Sequence, residues 1–454
     1  MVPIGKEAAE LQNWSARQRL SALKSIVPAR LVQAAVEHSG RGRNFCRRVT
    51  DLFTVWFVIA LGLCGRDAYR QVYRWLVPWK KGDVPGRSTL CMARHRLGPA
   101  PLVWLARGVV RLLADPQTPG AFHRHLRLMA LDGFVVNLPD VPALDRCFGR
   151  PGNQRSAGAF PQARVVGLVE CGTHVFWRWQ IKPYRVGEPT LARPLLKHLQ
   201  QDMLLMWDRG FLGFDQVEQV VHQKAHLLAR IKNDRVFPPI RVLSDGSYLS
   251  RMYRTDSDRQ ADRNGIDVRI IEYTLDDPSR PGCGEKHRLL TTLLDETLDP
   301  APALVELYHS RWEEELAIDE LKTHQDQRLV LRSQTPAGVV QEIYGLLLAH
   351  YVVRTLMHQA AQQVPISPLR LSFVGTLKIL QCRLPACPAS PRARRQWYSH
   401  LLEEITEVVI PPRRHRTNPR VIKCQQSKWP KKRPEHRAWP QPQWPFRNSI
   451  VILR

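Results

Sequence analysis

An α/β fold is predicted by three features of the chain. The first quarter is helical and arginine-rich, the periodicity turns to that of strands near residue 125, and strands then alternate with helices. In order, the apolar stretch Leu52 to Cys64 is shorter than the roughly 20 residues of a bilayer span and reads as a buried helix. Ser88 to Gly98 opens on a capping residue and closes on a helix-stopping glycine. Its Arg94 and Arg96 fit a recognition helix facing a DNA groove, and they fit equally a packing helix with solvated arginines. Strands are expected at Arg127–Pro139, Ala163–Val169 and over the alternation of Val175, Trp177, Trp179 and Ile181 with Phe176, Arg178, Gln180 and Lys182. A helix at Leu191–Gln201 leads into the strand ending at Asp208, and a helix at Phe214–Ala225 leads into Leu227–Ile231. This strand-strand-strand-helix-strand-helix-strand order is that of a ribonuclease-H-like core.

Between Lys232 and Lys286 the chain turns polar and rich in Gly, Pro, Asp and Arg, with one clear strand at Val268–Leu275, before Leu289–Leu294 resumes the core. The stretch from Asp208 to Glu315 is far longer than a strand-to-helix connection requires, so a β-rich insertion is expected. A helix from Pro302 to Lys322 follows, then an amphipathic helix from Ala337 to Gln363 with Val340, Ile343, Leu347, His350 and Tyr351 at helical spacing. His350 reads as a core or rim histidine and not a ligand. The expected domains are 1–120 (helical, DNA-binding), 121–231 with 287–370 (catalytic core), 232–286 (insertion) and 371–454 (basic extension). In that extension ten Lys or Arg and one acid lie between Pro411 and Arg437, and Trp429, Trp439 and Trp444 each precede proline. Beyond Pro385 an extended or disordered tail is expected, clinging to phosphate or docking its tryptophans on the protein's own surface.

The formal net charge of +26 and pI near 10.2 predict a polyanionic partner, nucleic acid first, since each neutralised phosphate releases counterions. The basic residues are spread over several segments, which argues against a membrane surface. Nine cysteines without a CxxC pair point to reduced thiols in a cytoplasmic, nucleoid-associated protein and not to a zinc knuckle. The proximity of Cys382 and Cys387 reads as chance.

The run from Tyr308 through Arg311 and Glu315 to Lys322 carries the chemistry. On a helix turning about 100° per residue these four side chains share one face. A carboxylate is thereby bracketed by an aromatic hydroxyl and two cations, as suits an acid that holds metal while cations hold phosphate. Asp132 (in Leu-Asp-Gly) and Asp208 (in Trp-Asp-Arg-Gly-Phe) end apolar strand patterns, which places them at the mouth of a sheet. Asp319, one turn past Glu315, is the alternative third acid. Arg209 reads as screening Asp208 or meeting a phosphate.

The spacing YxxRxxxExxxxxxK, with Asp132-Gly and Asp208-Arg-Gly-Phe before it, resembles the DDE transposases of bacterial insertion sequences, specifically the insertion-sequence-4 class. Phe148-Gly-Arg-Pro-Gly152, Gly158–Arg164, Pro183–Glu188 and Leu331–Pro336 are similar to that class as well, so the likeness runs from about residue 25 to about 365. The resemblance implies the same ribonuclease-H-like core with an insertion, and Tyr308, Arg311 and Lys322 gripping phosphates of the element's end. It also implies two protomers pairing on two ends.

Hard oxygen ligands select Mg²⁺, or Mn²⁺ in its place, with Asp132 bridging two ions, Asp208 on one and Glu315 on the other. The expected partners are double-stranded DNA, both inverted repeats and target, and a second copy of the chain. Two alternatives stay open: a nuclease of the same core without strand transfer, and a domesticated DNA-binding protein. Tyr184, Arg185 and Glu188 form either a hydrogen-bonded turn or a DNA contact.

Overall fold

The computed structural model describes residues 20–40, 49–77, 84–152, 158–279, 283–310, 313–326, 328–388, 390–411, 442 and 444–453. The labelled helices are α1 (Ala29–His38), α2 (Asp51–Leu63), α3 (Tyr69–Leu76), α4 (Arg87–Leu97), α5 (Ala100–Val109) and α6 (Pro142–Phe148). They continue with α7 (Glu188–Leu196), α8 (Phe214–His222), α9 (Asp256–Gln260), α10 (Ala301–Ser310), α11 (Glu313–Asp319), α12 (Pro336–Ala361), α13 (Phe373–Arg383) and α14 (Pro391–Glu407). The strands are β1 (Leu126–Asn137), β2 (Gln162–Glu170), β3 (Val175–Pro183), β4 (Met203–Trp207) and β5 (His226–Arg230). After them come β6 (Arg241–Val242), β7 (Tyr248–Met252), β8 (Ile266–Leu275), β9 (His287–Thr291) and β10 (Ile450–Ile452). Two compact units share these elements: residues 1–125, 132–191 and 313–410 form the first, and residues 126–131, 192–312 and 411–454 the second. Strand β1 passes from the second unit into the first at Leu131/Asp132.

The first unit is built around α2 and α12. Helix α2 starts where Thr50 accepts the amide of Phe53 at 3.2 Å, and its apolar residues are buried all round, as its sequence predicts. Helix α12 starts where Thr335 accepts the amide of Gly338 at 3.2 Å and has Pro336 in its first turn. The two helices approach backbone to backbone: a Cβ on Gly62 would meet the carbonyl oxygen of Gly345 at 2.6 Å, and one on Gly345 would meet Val58 at 2.6 Å. Only glycines allow this spacing. Strands β2 and β3 pair antiparallel from Ala163↔Pro183 to Glu170↔Val175, with a bulge at Leu168/Val169. The strand order here is β3-β2-β1.

The second unit holds a mixed sheet in the order β1-β4-β5-β9-β8-β7-β6. Strands β1, β4 and β5 are parallel, and β4 is apolar and buried throughout (Met-Leu-Leu-Met-Trp), the pattern of a parallel strand covered on both faces. The insertion supplies β6, β7 and β8, and β8 pairs antiparallel with β9, which itself pairs with β5. It thus extends the core sheet edge.

Two expectations beyond Pro385 are corrected. Residues 391–407 form helix α14, because Ser390 caps the amide of Ala393 at 3.2 Å and Leu401, Leu402 and Ile405 bury one face. Ile450–Ile452 pair with Leu275–Tyr273 as strand β10. Phe446 is buried with its ring 4.4 Å from that of His309. Trp444 is 51 % exposed; Trp429 and Trp439 lie outside the described residues, as does most of the basic tail. Among the described residues no helix is long and apolar enough to cross a membrane.

Candidate active site

The acids sit where buried strands run out. Leu131 of β1 lies in register with Trp207 of β4, and Asp132 and Asp208 are the residues that follow them. Both make the same local bond: Oδ1 of Asp132 accepts the amide of Gly133 at 2.7 Å, and Oδ1 of Asp208 accepts the amide of Arg209 at 2.7 Å. Each carboxylate is thereby turned back along its own chain. Asp208 is exposed and Asp132 partly so.

Asp132 has an acidic neighbour. A Cβ on Gly133 would meet the carboxyl carbon of Glu188 at 3.1 Å, so glycine after the acid makes room for that side chain. Arg164 pairs with Glu188 at 2.5 Å and lies 5.1 Å from the centre of the Tyr184 ring. The amide of Tyr184 donates to the carbonyls of Phe148 and Gln162 at 2.9 and 3.1 Å. Tyr184 and Glu188 therefore lock a turn, the first of the two readings for that segment.

Of the helix expected from Pro302 to Lys322, the described residues form α10 up to Ser310 and α11 from Glu313. Tyr308 lies on α10 in the second unit, Arg311 lies outside the described residues, and Glu315 lies on α11 in the first unit with its side chain outside the description. From Glu320 to Asp326 the chain is a π-helix, whose wider turn advances each residue by less than the α-helical step. Exposed Lys322 therefore does not keep the α-helical phase to Glu315 on which the single shared face depended. Tyr308 is buried, and its hydroxyl donates to the carbonyl of Trp207 at 3.4 Å, directly before Asp208. Asp319 pairs with His324 at 3.2 Å. Among the described residues no three acids, histidines or cysteines converge as a metal-holding group.

Arg94 is corrected outright. It is 5 % exposed, and its guanidinium donates to Gln341 Oε1 at 2.9 Å, to Ser333 Oγ at 2.9 Å and to the Tyr69 hydroxyl. Glu342 lies 4.0 Å away. No DNA groove can reach it. Arg96 is also engaged by the protein, with Asp51 at 2.9 Å and the carbonyl of Val49 at 2.6 Å. The exposed residues of α4 are Arg87, Ser88, Thr89, Met92 and His95. The helix begins at Arg87 after Gly86, without a side-chain cap, and stops as expected at Gly98, whose φ is +66°.

Three groupings emerge only in the fold, although Arg209 and His350 each stand out singly in the sequence. Arg209, Arg230 and Lys232 line a cavity of about 290 Å³ in the second unit together with Ile231, Asn233 and Asp234. Glu320 is buried among His174, His350 and Arg354, so His350 is the core residue its spacing suggested. Asp326 has its carboxyl pushed up to about 7 by burial and by Glu342, against Arg328 and Arg332.

Asp326 sets a pH dependence. Its folded pKa lies above the value of about 3.9 of an unfolded aspartate, so the folded state binds the proton more tightly. The resulting stability is complete below about pH 4 and lost as pH rises through 7. Asp326→Asn, fixed in the neutral form, should raise the melting temperature more at pH 8 than at pH 5, and an equal rise at both would contradict it.

The chain matches two family models: "Insertion element 4 transposase N-terminal" over residues 17–107 and "Transposase DDE domain" over residues 124–352. It is 26 % identical over 426 residues to the transposase InsG for insertion sequence element IS4 of Escherichia coli (strain K12), covering 92 % of this chain and 95 % of that protein. It is 32 % identical over 200 residues to the putative transposase InsZ of the same strain, covering 42 % and 63 %. A cryo-EM structure of the piggyBac transposase synaptic complex with hairpin DNA aligns over 87 % of this chain and 86 % of that one, with TM-score 0.42 and 12 % identity. Both models fall in their expected order along the sequence, and the chain belongs to the insertion-sequence-4 family of DDE transposases.

Proposed function

We propose that this transposase binds the inverted-repeat ends of its element, cleaves the DNA there and transfers the freed 3′-hydroxyls into target DNA. The observation that carries the reading is the pair of acids following in-register positions on buried parallel strands, each with an oxygen tied to the next amide. DDE-family enzymes use divalent metal. Asp132, Asp208 and Glu315 are hard oxygen donors without Cys or His, a set that fits Mg²⁺ and admits Mn²⁺. When bound there, such ions supply a hydroxide near neutral pH and neutralise the leaving oxygen.

The protein's own side chains hold and orient the strand. Arg311 and Lys322 are assigned to phosphates of the element's end. Tyr308, with its hydroxyl on the Trp207 carbonyl, is assigned to support of the strand bearing Asp208. The cavity of Arg209, Arg230 and Lys232 offers three cations beside that acid for a further phosphate. In the first reaction water attacks phosphorus and the 3′-oxygen leaves with a proton. In the second that 3′-hydroxyl attacks a target phosphodiester and displaces its 3′-oxygen, so the number of phosphodiesters is unchanged and no energy source is needed. One site handles one end at a time, so two copies of the chain are assigned to two paired ends.

The test is incubation of the purified protein with Mg²⁺, a duplex bearing its own element ends and a plasmid target. Nicking followed by covalent joining is expected. Nicking without joining would make it a nuclease, and end binding without either would make it a DNA-binding protein only.

A further inference from the structure

Glu320 lies five residues beyond Glu315, at the point where α11 becomes the π-helix. It is 4 % exposed, and one guanidinium and two imidazoles face its carboxylate. Arg354 of α12 donates to both its oxygens, through Nε at 2.9 Å to Oε2 and through a terminal nitrogen to Oε1. Nε2 of His350 lies 3.1 Å from Oε2, and Nδ1 of His174, on the turn between β2 and β3, lies 3.1 Å from Oε1. Burial by itself would raise the Glu320 pKa, but Arg354, His174 and His350 outweigh it and hold the carboxyl well below the ordinary value. All four groups belong to the first unit.

The far end of the π-helix is pinned as well. The side-chain amide of buried Gln325 donates to the carbonyls of Gly62 at 3.0 Å and Leu346 at 2.8 Å. Residues five apart lie on one side of a π-helix, whereas on an α-helix they stand about 140° apart. Glu320 and Gln325 both bond to α12, at Arg354 with His350 and one turn earlier at Leu346, and the wide turn is what lets them do so together. A π-turn survives where its surroundings determine it, and such turns recur at functional sites. Here it directly follows the helix of the third acid and contains Lys322.

We propose that Glu320 is a positioning residue for transposition: its fourfold anchorage fixes the rotation and axial position of the segment that carries Glu315 and Lys322. The proposal rests on Glu315 being the third metal-holding acid. Glu320 itself touches neither metal nor DNA. Its charge is spent on Arg354, and what it delivers to the reaction is the place of a neighbour five residues away.

The test uses the full chain with Fe²⁺ in place of Mg²⁺, so that ascorbate and peroxide generate hydroxyl radicals at the bound ion and cut the polypeptide beside it. Wild type should be cut near Asp132, Asp208 and Glu315. Glu320→Gln keeps the size of the side chain and loses the charge. It should keep the first two cuts, lose the third at least about fivefold, and bind element ends in EDTA within about twofold of wild type. Retention of the third cut at wild-type strength would overturn the proposal, whereas absence of all three cuts from wild type would overturn the metal assignment instead. If Glu320→Gln does not fold, Glu320→Gln with Arg354→Met removes both buried charges and restores neutrality. That pair should show the same selective loss, and a full third cut in it would overturn the proposal equally.

Discussion

Asp132→Ala, Asp208→Ala and Glu315→Ala are each expected to abolish nicking and joining while leaving the affinity for element ends in EDTA within a factor of two. Loss of a metal-holding carboxylate removes several kcal/mol of transition-state stabilisation, which is about 10³-fold or more in rate. In the fold Oδ1 of Asp132 and Oδ1 of Asp208 each accept the amide of the next residue, a bond local to the end of its own strand. The decisive comparison is a gel shift without metal beside a cleavage assay with it. A parallel loss of binding and cleavage would make the acids structural, and the two-ion assignment would fall.

Arg94→Ala is expected to act in the opposite way, on the fold and not on the DNA. Its guanidinium is shared among Gln341, Ser333 and Tyr69, with Glu342 close by. Removing the cation strands these partners in the interior, a change that costs about 3–5 kcal/mol, a large part of the 5–15 kcal/mol that holds most domains together. Arg96→Ala opens only a partly exposed pair with Asp51 and should cost about 1 kcal/mol or less. Thermal melts of the two variants separate these outcomes. If Arg94→Ala melts like wild type yet fails to bind element ends, the arginine is a DNA contact after all and its burial is not maintained in solution.

The chain announces its strands and the two strand-borne acids because burial between layers demands unbroken apolar runs, and an acid at the end of such a run stands out. Helix α2 was legible for the same reason, and α12 through its capping threonine, proline and apolar spacing. Arg94 was not, since a side chain satisfied by Tyr69, Ser333 and Gln341 looks in sequence like any arginine on a short basic helix. The π-turn was hidden because no local propensity produces it; it arises from Glu320 and Gln325 reaching for the same helix. Strand β10 escaped notice because Ile450-Val-Ile452 is short and its partner in β8 lies far away in sequence.

Strand β8 is covered on one side by β9, and on the other by β7 along its first half and by β10 along its second. Of all described elements β10 leaves the ribosome last. At about 5–20 residues per second, the interval between emergence of Leu275 and of Ile450 is on the order of ten seconds or more. Throughout that time the second half of β8 presents open amide and carbonyl groups, a template for pairing with any other strand in reach. A polypeptide released early would keep that open edge permanently. Frameshifts and stop codons before Ile450 should therefore yield sticky, insoluble fragments, and β8 has its full set of neighbours only once Ile450–Ile452 have been made.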